Sequence, residues 1–193
     1  MTQTPLRERP TRDQRIVEYG TWEQFKSIQK GFESSRRVRL FYYDGTIEIL
    51  MPGQDHEIYK SIIGMLLEIY LVEREIEFWP TGSMTQEQEG EVSAQADESY
   101  CLHELKPVPD LSIEVVFTSG GPNKLARYRA LGVPEVWFWQ DGLFTLYELG
   151  EQDYKRIYRS RCLPDLDLEL LGRCLLITSK VQAAKEFRRA ISQ

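Results

Sequence analysis

Long hydrophobic runs are absent from this chain of 193 residues. The apolar stretches fall far short of the roughly 18 residues that a membrane-spanning helix needs. The first residues, MTQTPLRERPTRDQR, also lack the apolar segment of a signal peptide. These absences predict a cytoplasmic protein with no membrane partner.

Cysteine, histidine and net positive charge are also scarce. Cys101, Cys162 and Cys174 form neither a CxxC pair nor a zinc-ligand pattern, so we interpret them as reduced thiols and expect no organic cofactor. The formal net charge of −6 argues against a protein that coats nucleic acid through bulk electrostatics. It leaves open a local basic groove around an acidic site.

The composition that remains is ordinary for a globular protein, with 41% hydrophobic and 28% charged residues. We expect one domain over residues 19–176, preceded by a flexible, polar extension over residues 1–18 and followed by a helical tail over residues 177–193. The tail is expected to follow a first helical piece that starts near residue 165.

Several local patterns predict individual elements. Thr21 and Gln24 resemble a capping box at the start of a helix, and Asp44-Gly45 and Asp141-Gly142 lie between alternating strands as hairpin turns. A helix is predicted from His56 to about residue 75, with its apolar face on Ile58, Ile62, Met65, Leu66 and Ile69.

The middle of the chain predicts a sheet. The segments IEFWPTG, DESYCL and PDLSIEVVF are typical of strands, and the Glu- and Gln-rich stretch between the first two is interpreted as a loop. KLARYRALG predicts a helix that ends at Gly132, and EVWFWQ predicts a further strand. The order α-β-β-β-α-β indicates an α/β fold, a mixed sheet flanked by helices.

The third of these strands contains an acidic residue where a core residue is expected. Side chains alternate across a strand, so Leu111, Ile113, Val115 and Phe117 form one apolar face and Glu114 lies on the other. A buried carboxylate is costly unless it is paired or bound to a cation. Asp97, at the head of the preceding strand, and Lys124, in the next helix, are the candidate partners.

This arrangement resembles the Uma-type family of the PD-(D/E)XK restriction-endonuclease-like superfamily. The resemblance covers about residues 18–160 and rests on ADESYCL, PDLSIEVVFTSGG and NKLARYRALGVPEVWFW, in that order. It implies the core order given above, a divalent-metal site and hydrolysis of DNA phosphodiester bonds. The resemblance also implies a homodimer, for which the aromatic hairpin over residues 136–149 offers apolar surface.

Carried over by resemblance, Asp97 and Glu114 are metal ligands and Lys124 is the assisting lysine. The backbone carbonyl of Val115 completes an oxygen set that suits Mg²⁺, with Mn²⁺ as a substitute. Two positions depart from the superfamily pattern: Ala96 replaces a proline, and Val116 occupies the usual position of the lysine. These departures motivate a second hypothesis, a catalytically degenerate nuclease fold that acts as a binding or scaffold module.

Other residues have alternative interpretations. Glu114 and Lys124 can form a purely structural ion pair, Glu98 replaces Asp97 if the strand register shifts by one, and Asp110 is interpreted as a decoy on the strand of Glu114. His56 resembles a family histidine, but alone it is interpreted as a surface or packing residue. A tryptophan-rich stripe is interpreted as core, and it consists of Trp137, Phe138 and Trp139. A set of arginines forms either a phosphate-binding rim or a solvated face, and it consists of Arg36, Arg37, Arg39, Arg127 and Arg129.

The turn before Lys124 also bears on its role. Gly120-Gly121 favours a sharp turn off the strand, and Pro122 favours a helix start. A cation at a helix N-terminus opposes the helix dipole, so we expect Lys124 to face the carboxylates.

Overall fold

The computed structural model describes residues 12–35, 37–117 and 123–192. Within these ranges the chain forms five helices: α1 (Trp22–Gly31), α2 (Gln54–Glu73), α3 (Asn123–Leu131), α4 (Leu168–Leu175) and α5 (Lys180–Ile191). The strands are β1 (Gln14–Tyr19), β2 (Arg39–Tyr43), β3 (Thr46–Met51), β4 (Phe78–Pro80), β5 (Thr85–Gln88), β6 (Val92–Gln95), β7 (Glu98–Leu102), β8 (Leu111–Val115), β9 (Glu135–Gln140), β10 (Leu143–Leu149) and β11 (Tyr154–Ile157).

The strands form two sheets. One has the order β1-β3-β2-β6-β5, and the other has the order β11-β10-β9-β8-β7-β4. In the second sheet β8 and β9 run parallel, whereas β7 pairs with β8 in antiparallel fashion. The predicted core order is confirmed, because α2, β4, β7, β8, α3 and β9 follow one another with the β5–β6 hairpin inserted. The fold is mixed α and β and agrees with a restriction-endonuclease-like architecture.

Helices cover both faces of the six-stranded sheet. On one face α2, α4 and α5 pack on one another and on the sheet, in a core that includes Leu66, Ile113 and Trp137. On the other face α3 contacts β2, β5 and β6, so it lies between the two sheets. Side chains alternate between the two faces of the sheet along β8, so Ile113 faces the α2 side and Glu114 contacts α3 on the other side.

The predicted turns and caps agree with the structure. The Thr21 N–H donates to Oε1 of Gln24 at 2.8 Å, and the Gln24 N–H donates back to the Thr21 hydroxyl at 3.4 Å. Asp44 and Asp141 have φ angles of 48° and 51°, in the left-handed region that these hairpin turns require. Gly132 ends α3 with a φ angle of 74°.

Four expectations need correction. Residues 14–18 of the extension predicted to be flexible belong instead to β1, which pairs with β3. The Glu- and Gln-rich loop is instead the β5–β6 hairpin, because backbone pairing with β2 extends the sheet even where side chains are polar. The buried face of α2 is rotated about the helix axis relative to the predicted apolar face, since Ile58, a member of the predicted face, is 40% exposed. The helix of the predicted tail belongs to the main core through Phe187 and Ile191.

Some expectations concern residues that lie outside the described ranges, namely Arg36, the Gly120-Gly121 turn and Pro122. Among the described helices, none is both long and apolar enough to cross a membrane.

Candidate functional site

Asp97 and Glu114 are neighbours across two paired strands. Asp97 lies immediately before β7, and its N–H donates to the Ile113 carbonyl at 3.1 Å. Because Glu98 is in register with Ile113, Asp97 stands opposite Glu114. The side chains of both are buried, with relative exposures of 0% for Asp97 and 2% for Glu114. The structure therefore brings the two carboxylates onto adjacent strands, as the sequence predicts.

Both oxygens of Asp97 are engaged by the chain itself. Oδ2 accepts the Val115 N–H at 2.6 Å. Oδ1 lies 2.8 Å from Nε2 of His56 and forms an ion pair with Arg39. Arg39 also donates to Glu57 at 2.9 Å. Asp97 is thus fixed in orientation by one backbone group and two side chains.

Glu114 is held by two residues of α3. Nζ of Lys124 donates to Oε2 at 2.8 Å, and the Tyr128 hydroxyl donates to Oε1. Lys124 and Tyr128 are four positions apart, so they lie on one face of the helix. Burial alone would raise the pKa of Glu114, but Lys124, Tyr128 and Arg127 outweigh it and hold the pKa below its ordinary value. Burial, and then Glu114, raise the pKa of Tyr128.

His56 is buried between two carboxylates, so its interpretation as a surface residue is wrong. Its Nδ1 lies 2.9 Å from Oδ2 of Asp13, and its Nε2 contacts Asp97. Oδ1 of Asp13 accepts the Gly53 N–H at the start of α2, at 2.8 Å. Burial would raise the pKa of Asp13, but the contacts with His56 and Gly53 lower it overall.

A third buried carboxylate, Glu48 on β3, lies between two arginines. Nε of Arg15 donates to Oε1 at 2.6 Å, and Nη2 of Arg127 donates to Oε2 at 2.8 Å. Burial would raise the pKa of Glu48, but Arg127 and Arg15 reverse this and lower it. Arg127 and Arg39 are buried and form ion pairs, so these two arginines do not belong to a solvated face.

These groups surround a narrow cleft of about 10 Å³, roughly the space that one water needs. The cleft is lined by Asp13, Arg15, Glu48, Leu50, His56, Val115, Val116, Phe117 and Lys124. The side chains of Asp13, Glu48, Asp97 and Glu114 are at most 5% exposed, and the buried lysine and arginines beside them are Arg39, Lys124 and Arg127. Buried carboxylates therefore outnumber buried permanent cations.

The donor set fits a hard divalent cation in its chemistry. Carboxylate and carbonyl oxygens are the ligands that Mg²⁺ prefers. Among the residues that the structure describes, no group of three or more His, Cys, Asp or Glu side chains has the geometry of a metal site. A bound ion would therefore need the Val115 carbonyl or water as well as Asp97 and Glu114.

Two acidic alternatives lie away from this cleft. Glu98 faces α2, where its carboxylate lies near Gly64. Asp110 accepts the Leu102 N–H at 2.7 Å and the Lys106 ammonium at 2.8 Å, so it stabilises the turn between β7 and β8. Trp137 and Trp139 are buried, in agreement with their interpretation as core residues.

Sequence reasoning missed Asp13, Glu48 and Tyr128. Glu48 carries a usable signal, because it interrupts the apolar strand segment TIEILM as Glu114 interrupts its own strand. Tyr128 is signalled more weakly, by its spacing of four from Lys124. Asp13 has no such signal, since it lies in a polar stretch and only the folded chain brings it to His56.

A family model described as "Uma2: Putative restriction endonuclease" matches residues 22–172 of the chain. The matched range contains His56, Asp97, Glu114 and Lys124 and excludes Asp13 and Arg15. A search of curated proteins finds no match.

Proposed function

Because the chain belongs to the Uma2 family of restriction-endonuclease-type proteins, we propose that it is a Mg²⁺-dependent endonuclease that hydrolyses DNA phosphodiester bonds. One observation carries this proposal: two buried carboxylates stand opposite each other on adjacent strands, and the buried lysine that pairs with one of them lines the neighbouring cleft. Buried carboxylates with a perturbed pKa, such as Glu114, are concentrated at functional sites.

Each residue has a distinct role in this proposal. Asp97, Glu114 and the Val115 carbonyl would hold Mg²⁺, or Mn²⁺ in its place. When bound, the ion supplies Lewis-acid activation of water and of the phosphate. Lys124, whose ammonium donates to Glu114, stabilises the negative charge that builds on the phosphate. His56 and Arg39 hold Asp97 in orientation.

The test is cleavage of supercoiled plasmid by purified protein in Mg²⁺ or Mn²⁺. Glu114→Gln removes a ligand charge while preserving the shape of the side chain, and Asp110→Asn is the matched control on the same segment, because Asp110 lies outside the cleft. We expect the wild type and Asp110→Asn to nick the plasmid, and Glu114→Gln and EDTA-treated protein to fail. Equal nicking by all of the variants would refute the proposed site.

A second candidate, a catalytically degenerate scaffold, is favoured by one observation. Both oxygens of Asp97 and both oxygens of Glu114 already accept hydrogen bonds or ion pairs from the chain itself. Calorimetric titration with Mn²⁺ separates the two candidates. Binding that Asp97→Asn abolishes supports the nuclease, and the absence of binding at millimolar Mn²⁺ supports the scaffold.

A further inference from the structure

A large aromatic side chain is exposed at the mouth of the proposed cleft. Phe117 follows the end of β8 by two residues and lines the cleft together with His56 and Lys124. Its relative exposure is 40%, whereas Val115 and Val116, just before it, are buried. The side chain of Phe117 is therefore partly in solvent directly beside the charged cleft.

Other rings support Phe117 from the protein side. Tyr59 of α2 lies 5.8 Å from it and Trp139 of β9 lies 6.1 Å from it, measured between ring centroids. Tyr59 stacks on Trp139 at 4.3 Å, and Trp139 is only 2% exposed. Phe117 therefore rests on a packed aromatic wall that holds it in place while part of its ring remains in solvent.

A positive charge borders this wall. Nζ of Lys180 lies 6.0 Å from the centre of the Tyr59 ring and donates to the Ile177 carbonyl at 2.9 Å. This contact fixes the ammonium group at the start of α5. Lys180 thus provides positive charge beside Tyr59, which suits a strand whose bases alternate with phosphates.

We propose that Phe117, backed by Tyr59 with Lys180 beside that ring, stacks an unpaired nucleobase at the mouth of the cleft. A base inside a duplex has both faces covered by its neighbours, whereas an unpaired base offers a free face to an aromatic side chain. The preferred substrate is therefore single-stranded or locally unpaired DNA. This inference rests on the proposed function and deepens it by naming the substrate class.

Binding without divalent metal tests the inference separately from cleavage. The probes are a single-stranded DNA oligonucleotide carrying 2-aminopurine, whose fluorescence falls when it stacks, and a hairpin duplex of the same sequence, both in EDTA. Phe117→Leu removes the aromatic face and keeps the apolar volume. Tyr158→Leu is the matched control, because Tyr158 is an exposed aromatic residue outside the cleft.

Stacking on one aromatic residue corresponds to a loss of about 5- to 150-fold in affinity when the ring is removed. We expect Phe117→Leu to lose affinity for the single strand in this range and to lose the fluorescence change, with Phe117→Trp retaining both and Tyr158→Leu behaving as the wild type. Unchanged single-strand affinity in Phe117→Leu would overturn the inference. Equal losses for the single strand and the duplex would overturn it as well.

The outcomes separate this inference from the nuclease proposal. A protein that binds the single strand through Phe117 but never cleaves DNA refutes the nuclease and keeps the subsite. A protein that cleaves plasmid with no contribution from Phe117 refutes the subsite alone.

Discussion

Lys124 neutralises a carboxylate that has almost no access to water. Its ammonium lies 2.8 Å from Glu114, and the two side chains are 9% and 2% exposed. Removing one partner of a buried ion pair leaves an uncompensated charge and costs about 3–5 kcal/mol. We therefore predict that Lys124→Ala loses both cleavage and about 3 kcal/mol of unfolding free energy, measured by urea denaturation in EDTA.

Two controls sharpen this prediction. Lys106→Ala breaks a solvent-screened pair with Asp110 and should change the free energy of unfolding far less than Lys124→Ala does. Mn²⁺ should stabilise Lys124→Ala more than the wild type, because a bound cation replaces the missing charge beside Glu114. If Lys124→Ala unfolds at the same urea concentration as the wild type, the pair contributes nothing to stability.

Glu98 is a partly buried carboxyl group whose pKa is raised, whereas that of Glu114 is lowered. The pKa of Glu98 is raised to about 7, mainly by burial and further by Glu68 and Glu57, against the opposing effects of Lys60 and Arg39. The protonated form is favoured in the folded state, so its contribution to stability is complete below pH 4.5 and is lost as the pH rises through 7.

We predict that Glu98→Gln stabilises the protein at pH 8 and has little effect at pH 4.5. The expected gain at pH 8 is roughly 2 kcal/mol, since one pKa unit corresponds to about 1.4 kcal/mol and Glu98 is only partly buried. Thermal unfolding of both proteins at the two pH values measures it. A gain that is equal at both pH values would show that ionisation of Glu98 is not the cause.

At the scale of single residues the sequence reveals Glu114 and its nearby partner Lys124, but not the distant partners of the other buried carboxylates. Glu114 could be predicted because a carboxylate within an apolar strand pattern is conspicuous, whereas Asp97 was identified as a candidate partner at the head of the preceding strand and by family resemblance. Asp13 and Arg15 could not, because their polar segment reads as solvent-exposed and their partners His56 and Glu48 lie more than 30 positions away.

At the scale of elements, β1 depends on the site more than on the core. All six of its residues are exposed, and it joins the rest of the protein through backbone pairing with β3 and through Asp13 and Arg15. The core clusters among the described residues contain no member of β1. The strand therefore orients the site while contributing little apolar burial.

We predict that a chain beginning at residue 20 folds but cleaves DNA at least 10-fold more slowly. Without Asp13, His56 loses one of its two carboxylate contacts, and Asp97 loses a firm orientation. Circular dichroism and thermal unfolding check the fold, and plasmid cleavage checks the site. Asp13→Ala in the full chain should reproduce the loss, and full activity in both proteins would contradict this role.

Elements with strong local signals were predicted well, and those set by long-range pairing were not. The capping box at Thr21 and the two Asp-Gly turns are local, so their sequences specify them. In contrast, β5 has only polar side chains and β6 only two apolar ones, and the strand state of β6 depends on its pairing with β2, about 50 positions earlier.

At the scale of the whole molecule, the lowered and raised carboxyl pKa values predict a stability maximum. Asp13, Glu48 and Glu114 have lowered pKa values, so their contribution is present above the ordinary values of about 4 and is lost as the pH falls through the folded values. Glu98 acts in the opposite direction near pH 7. Urea unfolding between pH 3 and pH 9 should therefore show greatest stability at about pH 5–6, and a continuous rise to pH 9 would contradict this balance.

Assembly is a second prediction at this scale. The β9–β10 hairpin exposes Leu143, which is 72% accessible, and Leu176 of the neighbouring helix end lies against the hairpin turn. We predict a homodimer through this surface, detected by sedimentation velocity at micromolar concentration, and a monomer for Leu143→Glu. A wild-type protein that sediments only as a monomer would refute the prediction.

The pairing of buried carboxylates with later cations has a consequence for how the chain is made. Glu48 precedes its partner Arg127 by 79 positions, and Glu114 precedes Lys124 by 10. As the nascent chain leaves the ribosome, Glu48 emerges with Arg15 as its only partner and Glu114 emerges before Lys124, so both pairings are complete only when α3 arrives. The interface between the sheets closes late in translation, so an incomplete chain that stops before α3 carries no assembled cleft.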